Sequence, residues 1–219
     1  MRVLLFGATG MIGQGVLREC LQDPEVTRVL SIVRNGSGEA HAKLEEVVHG
    51  DFTDFTVLEG HLAGLDACFF CLGISAAGLD EPSYARVTFD FTLAAARTLA
   101  RLNPAMAFIY VSGQGSDRTE RGRTMWARVK GCTENALLQL PFRTVCAFRP
   151  GAIQPLHGAR SRTRLYRIAY ALLGPFLPLL KRVAPDALTT TEQIGRAMLR
   201  VAREGAPGPV LETRDINRL

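Results

Sequence analysis

The feature that most constrains this chain is its opening run, VLLFGATGMIGQGV at residues 3–16, in which four apolar residues lead into glycines at positions 7, 10 and 13. A buried strand that ends in such a loop and passes directly into a helix presents free N–H groups and the positive end of the helix dipole to whatever lies beyond the loop. Gly7 permits the sharp turn out of the strand. Gly10 removes a side chain where the backbone must approach a pyrophosphate, and Gly13 lets the new helix pack closely. The expected occupant is a nucleotide phosphate.

Strand and helix signals then alternate along the chain, the pattern of a parallel sheet with helices on both faces. The first helix is expected from Met11 to Cys20, stopped near Asp23-Pro24. VLSIVR (29–34), a strand within LEEVVHGDF, ACFFCLG, AFIYVS (107–112) and TVCAFRPG supply the next five strands. Helices are expected over residues 82–102, where Pro82 suits the first turn and FTLAAARTLA forms the interior, and over 124–140. Beyond Ile153 the alternation weakens to an apolar segment, RLYRIAYALLGPFLPLLKRV (164–183), a helix in TTTEQIGRAMLRVA and a short VLE strand. A chain of 219 residues suits one α/β domain, with 154–209 forming a small C-terminal cap on the substrate side.

The net charge of +5 is spread over several segments without an aromatic-interleaved basic tract, so nucleic-acid binding is not indicated. Residues 168–180 carry no charge, but the run is too short to span a bilayer and is broken by Gly174-Pro175 and Pro178. An apolar lid over a pocket is the favoured reading, with docking at a membrane surface behind it. Five cysteines, an odd number, point to reduced thiols, and strand alternation sends Cys68 and Cys71 to opposite faces. The four histidines show no metal-ligand spacing. No secretory signal fits the N-terminal run, and the location expected is cytoplasmic.

GATGMIG, then GDFTD after strand three, CLG after strand four, YVS closing strand five, a helix carrying Lys130 and FRPG closing strand six follow in order. Together they resemble the short-chain dehydrogenases/reductases, in particular the atypical NAD(P)-binding members related to NAD-dependent epimerases and dehydratases. The resemblance covers about the first 155 residues and implies a Rossmann-type doubly wound sheet. It implies that Gly7, Thr9, Gly10, Met11, Ile12 and Gly13 cradle the pyrophosphate. By the same resemblance Asp51 accepts from the adenine amino group with Phe52 beside the ring, Leu72 and Gly73 line the cofactor with their backbone, and residues 151 to Ile153 pass near the nicotinamide. At the end of strand two, NAD-preferring sites place an acid that binds the ribose hydroxyls; here Arg34 stands instead, and a guanidinium suits a 2′-phosphate. The cofactor expected is therefore NADP ahead of NAD.

The family's catalytic helix carries a tyrosine four residues before a lysine, on one helical face. Ser112 and Lys130 occupy the implied catalytic serine and lysine positions, with Lys130 also on the cofactor ribose. The tyrosine position holds Trp126, in MWARVK. Indole donates a hydrogen bond but does not exchange a proton in the biological range. A substitute acid is required, from Tyr84, Tyr166, Tyr170 or a bound water, if the protein acts on a small carbonyl or hydroxyl substrate. The alternative is a dinucleotide-binding or sensing module that works through a protein partner.

Overall fold

The computed structural model describes residues 1–159 and 186–219. Seven parallel strands form one sheet: β1 (Arg2–Phe6), β2 (Arg28–Val33), β3 (Leu44–Val48), β4 (Ala67–Phe70), β5 (Ala107–Val111), β6 (Thr144–Arg149) and, after an intervening pair, β9 (Val210–Glu212). Their order is β3-β2-β1-β4-β5-β6-β9, with β1 flanked in register by β2 and β4. The winding reverses between β1 and β4, which opens a crevice beyond the carboxyl ends of these two strands. β7 (Ala152–Gln154) and β8 (Leu188–Thr190) pair as a separate parallel ribbon.

Alternation along the strands divides the core. Val3, Leu5, Phe69, Ile109 and Phe148 face α1 (Met11–Gln22) and α6 (Thr191–Glu204), whose Val16, Leu17, Ile194, Met198 and Val201 complete that layer. Leu4, Phe6, Ile32, Phe70 and Phe108 face the opposite way, toward Ala95, Ala96 and Leu99 of α4 (Phe91–Leu102) and Leu137 of α5 (Met125–Leu138). Cys68 belongs to the second layer, whereas Cys71, just past β4, packs on the first. The expected separation of the two thiols is therefore found, and all five cysteines are free.

Element boundaries follow local chemistry. α1 starts at Gly10 and ends at Asp23, whose N–H still bonds Glu19, before Pro24 breaks the ladder. The run expected as one helix over 82–102 begins at α3 (Glu81–Ala85), where the Asp80 side chain caps the Ser83 N–H at 3.0 Å, and continues through a π turn (Arg86–Asp90) into α4. Thr88 lies in that π turn, and its carbonyl accepts from the Thr92 hydroxyl at 2.7 Å. A one-residue widening of this kind leaves no mark on hydrophobic periodicity, so the sequence reads straight through it. Short helices α2 (Glu59–Leu62) and α7 (Thr213–Arg218) were likewise not anticipated.

The stretch expected as a cap divides into two. Residues 160–185, which include Tyr166, Tyr170 and the whole apolar segment 164–183, lie outside the described residues. Residues 188–212 instead build the body of the fold, because α6 lies against α1 and β9 extends the sheet beside β6. The physical reason is the apolar face of α6, which is buried over Ile194, Ala197, Met198 and Val201. Among the described residues, no helix is long and apolar enough to cross a membrane.

Candidate functional site

The crevice between β1 and β4 is a cleft of about 330 Å³, bordered by the 7–11 turn, by Arg34 and Asn35 after β2, by Phe52, and by Cys71, Leu72 and Gly73 after β4. Its floor is set by backbone approaches that tolerate no side chain. Gly7 has φ +80°, and a Cβ there would sit 2.7 Å from the Cys71 carbonyl and the Leu72 nitrogen. A Cβ on Gly13 would lie 2.0 Å from the Gly7 oxygen, so the helix closes onto the loop itself. Gly10 differs from both. A Cβ there would meet only the Gly7 oxygen, at 3.3 Å, and its outer side is open.

That openness suits a ligand. The first-turn N–H groups of α1 have no intrahelical acceptors, no side chain caps them, and no acidic residue stands in the first turn to compete with an anion. Thr9, Gly10 and Met11 border the cleft, whereas Ile12 packs against the core and Gly13 lies beneath the turn. Arg34 is exposed at the rim and makes no ion pair among the described residues. The donor set and the side-chain-free cradle fit a dinucleotide.

Around the adenine side, Phe52 is 4 % exposed and packs edge-on to Phe6 at 6.2 Å, so it serves the core while bordering the cleft. Asp51 is exposed, and its Oδ1 accepts from the Thr53 N–H at 2.9 Å and from the Thr53 hydroxyl. Those bonds hold its carboxyl below the usual carboxylate range. Ile153, in β7, turns its side chain into the core, which leaves only backbone to face a ligand, and the Gly151 N–H is bound by the Thr213 hydroxyl at 2.8 Å.

At the end of β5, Trp126 and Lys130 lie on one face of α5 and flank the 113–115 turn. Cβ positions at Gly113 and Gly115 would lie 4.0 and 3.6 Å from the indole, and the Lys130 stem is 3.9 Å from the first of these. The Lys130 amine donates to the Val111 carbonyl at 3.4 Å and stands 5.4 Å from the centre of the Tyr110 ring. It is half-buried, and loss of water around it pulls its pKa down to about 8, against a smaller opposing pull from Glu134.

Ser112 is brought to the same strand end, but its hydroxyl is turned inward. Ser112 Oγ donates to Glu134 Oε1 and lies 2.9 Å from Ser116 Oγ. The Glu134 carboxylate, without exposed surface, also accepts from Arg149 Nε at 3.0 Å and Nη2 at 2.6 Å, and Arg149 reaches Glu212 at 3.3 Å. Sequence reading missed this network. A signal was available: Glu134 stands one helical turn after Lys130, and Arg149 ends an otherwise apolar strand, two charges where the pattern calls for burial. Tyr84 fails as a substitute acid, since it is 2 % exposed and burial raises its pKa.

A family model described as NAD(P)H-binding matches residues 7–135. Protein fmp52, mitochondrial, of Emericella nidulans is 30 % identical over 169 residues, covering 74 % of this chain and 70 % of its own. Protein HTATIP2 of Rattus norvegicus is 29 % identical over 155 residues, 69 % of this chain and 62 % of its own. Among solved structures, Bordetella bronchiseptica WbmF in complex with NAD⁺ superposes with a TM-score of 0.67 at 16 % identity, covering 99 % of this chain and 76 % of that one, a likeness of fold. The cytoplasmic expectation is corrected by the relatives: fmp52 and further fungal proteins matched by this chain are named mitochondrial. The absence of a secretory signal, on which that expectation rested, does not separate cytosol from organelle. With its Rossmann sheet, its glycine cradle and a match over more than half its length, the chain belongs to the NAD(P)H-binding family, as an atypical short-chain dehydrogenase/reductase.

Proposed function

We propose that the protein is an NADP-preferring reductase or epimerase-like enzyme for a small carbonyl or hydroxyl compound, working without the usual tyrosine. The observation that carries the cofactor choice is Arg34, an exposed guanidinium on the cleft rim with no ion-pair partner among the described residues. A 2′-phosphate there gains a charge-assisted contact that a ribose hydroxyl cannot match. Asp51 offers the adenine amino group the oxygen that Thr53 leaves free. Leu72, Gly73 and the Ile153 backbone line the path of the cofactor toward Lys130.

Carbonyl reduction needs a hydride at carbon, which reduced nicotinamide supplies when bound, and a proton at oxygen. Lys130 suits the second task because burial draws its pKa down to about 8, so its ammonium form gives up a proton more readily than an ordinary lysine. Ser112 in this reading shapes the strand end instead of donating to substrate, because its hydroxyl already donates to the Glu134 carboxylate. The second reading, a dinucleotide-binding module acting through a protein partner, is favoured by the same inward hydroxyl together with Trp126. Calorimetry tests the cofactor assignment: NADPH should bind wild type more tightly than NADH, and Arg34→Asp should reverse that order with a loss for NADPH of about 1 to 3 kcal/mol. Equal affinities in both proteins would remove Arg34 from the site.

A further inference from the structure

Glu134 is the most deeply placed charge beside the β5 end, and it receives donors from two directions, with Lys130 nearby on its own helix. Ser112 donates from the end of β5, Arg149 donates twice from the end of β6, and Lys130 lies one turn before it on α5. Ser116 stands behind Ser112, and its single proton serves either Ser112 Oγ or the Gly113 carbonyl at 2.8 Å. We infer that Glu134 is a positioning residue of the cleft: it draws the Ser112 proton into a buried pair with Arg149, and its negative charge favours the ammonium form of Lys130. The inference rests on the reading that Lys130 faces the reacting end of a bound dinucleotide.

The geometry favours this assignment over simple structural pairing. A carboxylate needed only for Arg149 would be served by Glu212, which already reaches that guanidinium and is half-exposed. Glu134 instead sits where its field also falls on Lys130, Tyr110 and Cys146, the thiol of the last being pushed up to about 12 by burial and by this carboxylate. Among the described residues, Arg149 is the charged group paired with Glu134, Glu212 lies beyond it on the same guanidinium, and Glu134 is the charged group whose field falls on Lys130. Removing the Glu134 charge while keeping its shape should therefore make Lys130 surrender its proton more readily.

The test is competitive acetylation of the apoprotein with trace acetic anhydride across neutral and alkaline pH, read by mass spectrometry at Lys130 with Lys43 as internal reference. In Glu134→Gln the Lys130 midpoint should fall by about one pH unit, with reactivity at neutral pH rising about fivefold while Lys43 stays unchanged. An unchanged Lys130 midpoint in folded Glu134→Gln would overturn the inference. Should the unpaired Arg149 prevent folding, Glu134→Gln combined with Arg149→Met removes both buried charges and leaves an amide oxygen to accept from Ser112. Because losing the Arg149 charge acts the other way, the reference is Arg149→Met alone; the double variant's midpoint should lie below it, and equal midpoints would again overturn the role. Because no cofactor is present, this result stands apart from whether Arg34 selects NADPH.

Discussion

Gly7, Gly10 and Gly13 shape the cleft beside β1 by what they lack, whereas at the end of β5 Ser112, Trp126 and Lys130 count by the atoms they carry and by the partners that turn them. At the β1 end, approaches of 2.0 and 2.7 Å between backbone atoms and hypothetical Cβ positions leave one residue type for each place. At the β5 end, the same sequence positions could serve several chemistries, and a carboxylate 22 residues away decides where the Ser112 proton points. Binding geometry is thus written into the backbone, while reactivity depends on long-range pairing.

The largest expected effect breaks the first end. Gly13→Val places branched carbon against the Gly7 carbonyl and should cost about 3 kcal/mol or more, lowering Tm by the order of 10 °C and abolishing dinucleotide binding. Calorimetric melting and cofactor titration check this together. A variant that melts and binds like wild type would show that the loop can move away and that its glycines do not define the cradle.

The contrast explains how much could be read in advance. The six strands from β1 to β6, helices α1, α4 and α5 and the glycine turn after β1 were legible because burial, alternation and glycine spacing are local properties of the chain. Arg34 and Leu72 fell on the cleft for the same reason, each following a strand whose end is fixed by register with β1. Phe52 was legible as a neighbour of the cleft, but its service to the aromatic core around Phe6 and Phe55 depends on tertiary packing. The inward hydroxyl of Ser112 was not legible, since Glu134 and Arg149 meet it only after α5 and β6 have docked. Nor was the role of α6, whose apolar face reads equally well as a cap or as a layer of the body until α1 is seen beneath it.

A sharper view of the reacting end comes from restoring the family's tyrosine. If Trp126 is what limits ordinary reductase chemistry, Trp126→Tyr should raise NADPH oxidation with a panel of aldehydes and quinones by about 100-fold. Lys130→Met in that background should abolish the gain. Steady-state assays that find neither change would favour the binding-module reading.

The central claim is that one dinucleotide runs from Arg34 to the face of α5 that carries Trp126 and Lys130. Trp126 is the single tryptophan, so indole emission reports on this place alone. The direct measurement is emission at saturating NADPH, corrected for absorption, in wild type and in Gly10→Asp, whose carboxylate repels the pyrophosphate. The account predicts strong quenching in wild type by energy transfer to the reduced ring, a different response to NADP⁺, and none in Gly10→Asp. Unquenched emission from wild type, with binding proven by calorimetry, would place Trp126 away from the cofactor and contradict the account.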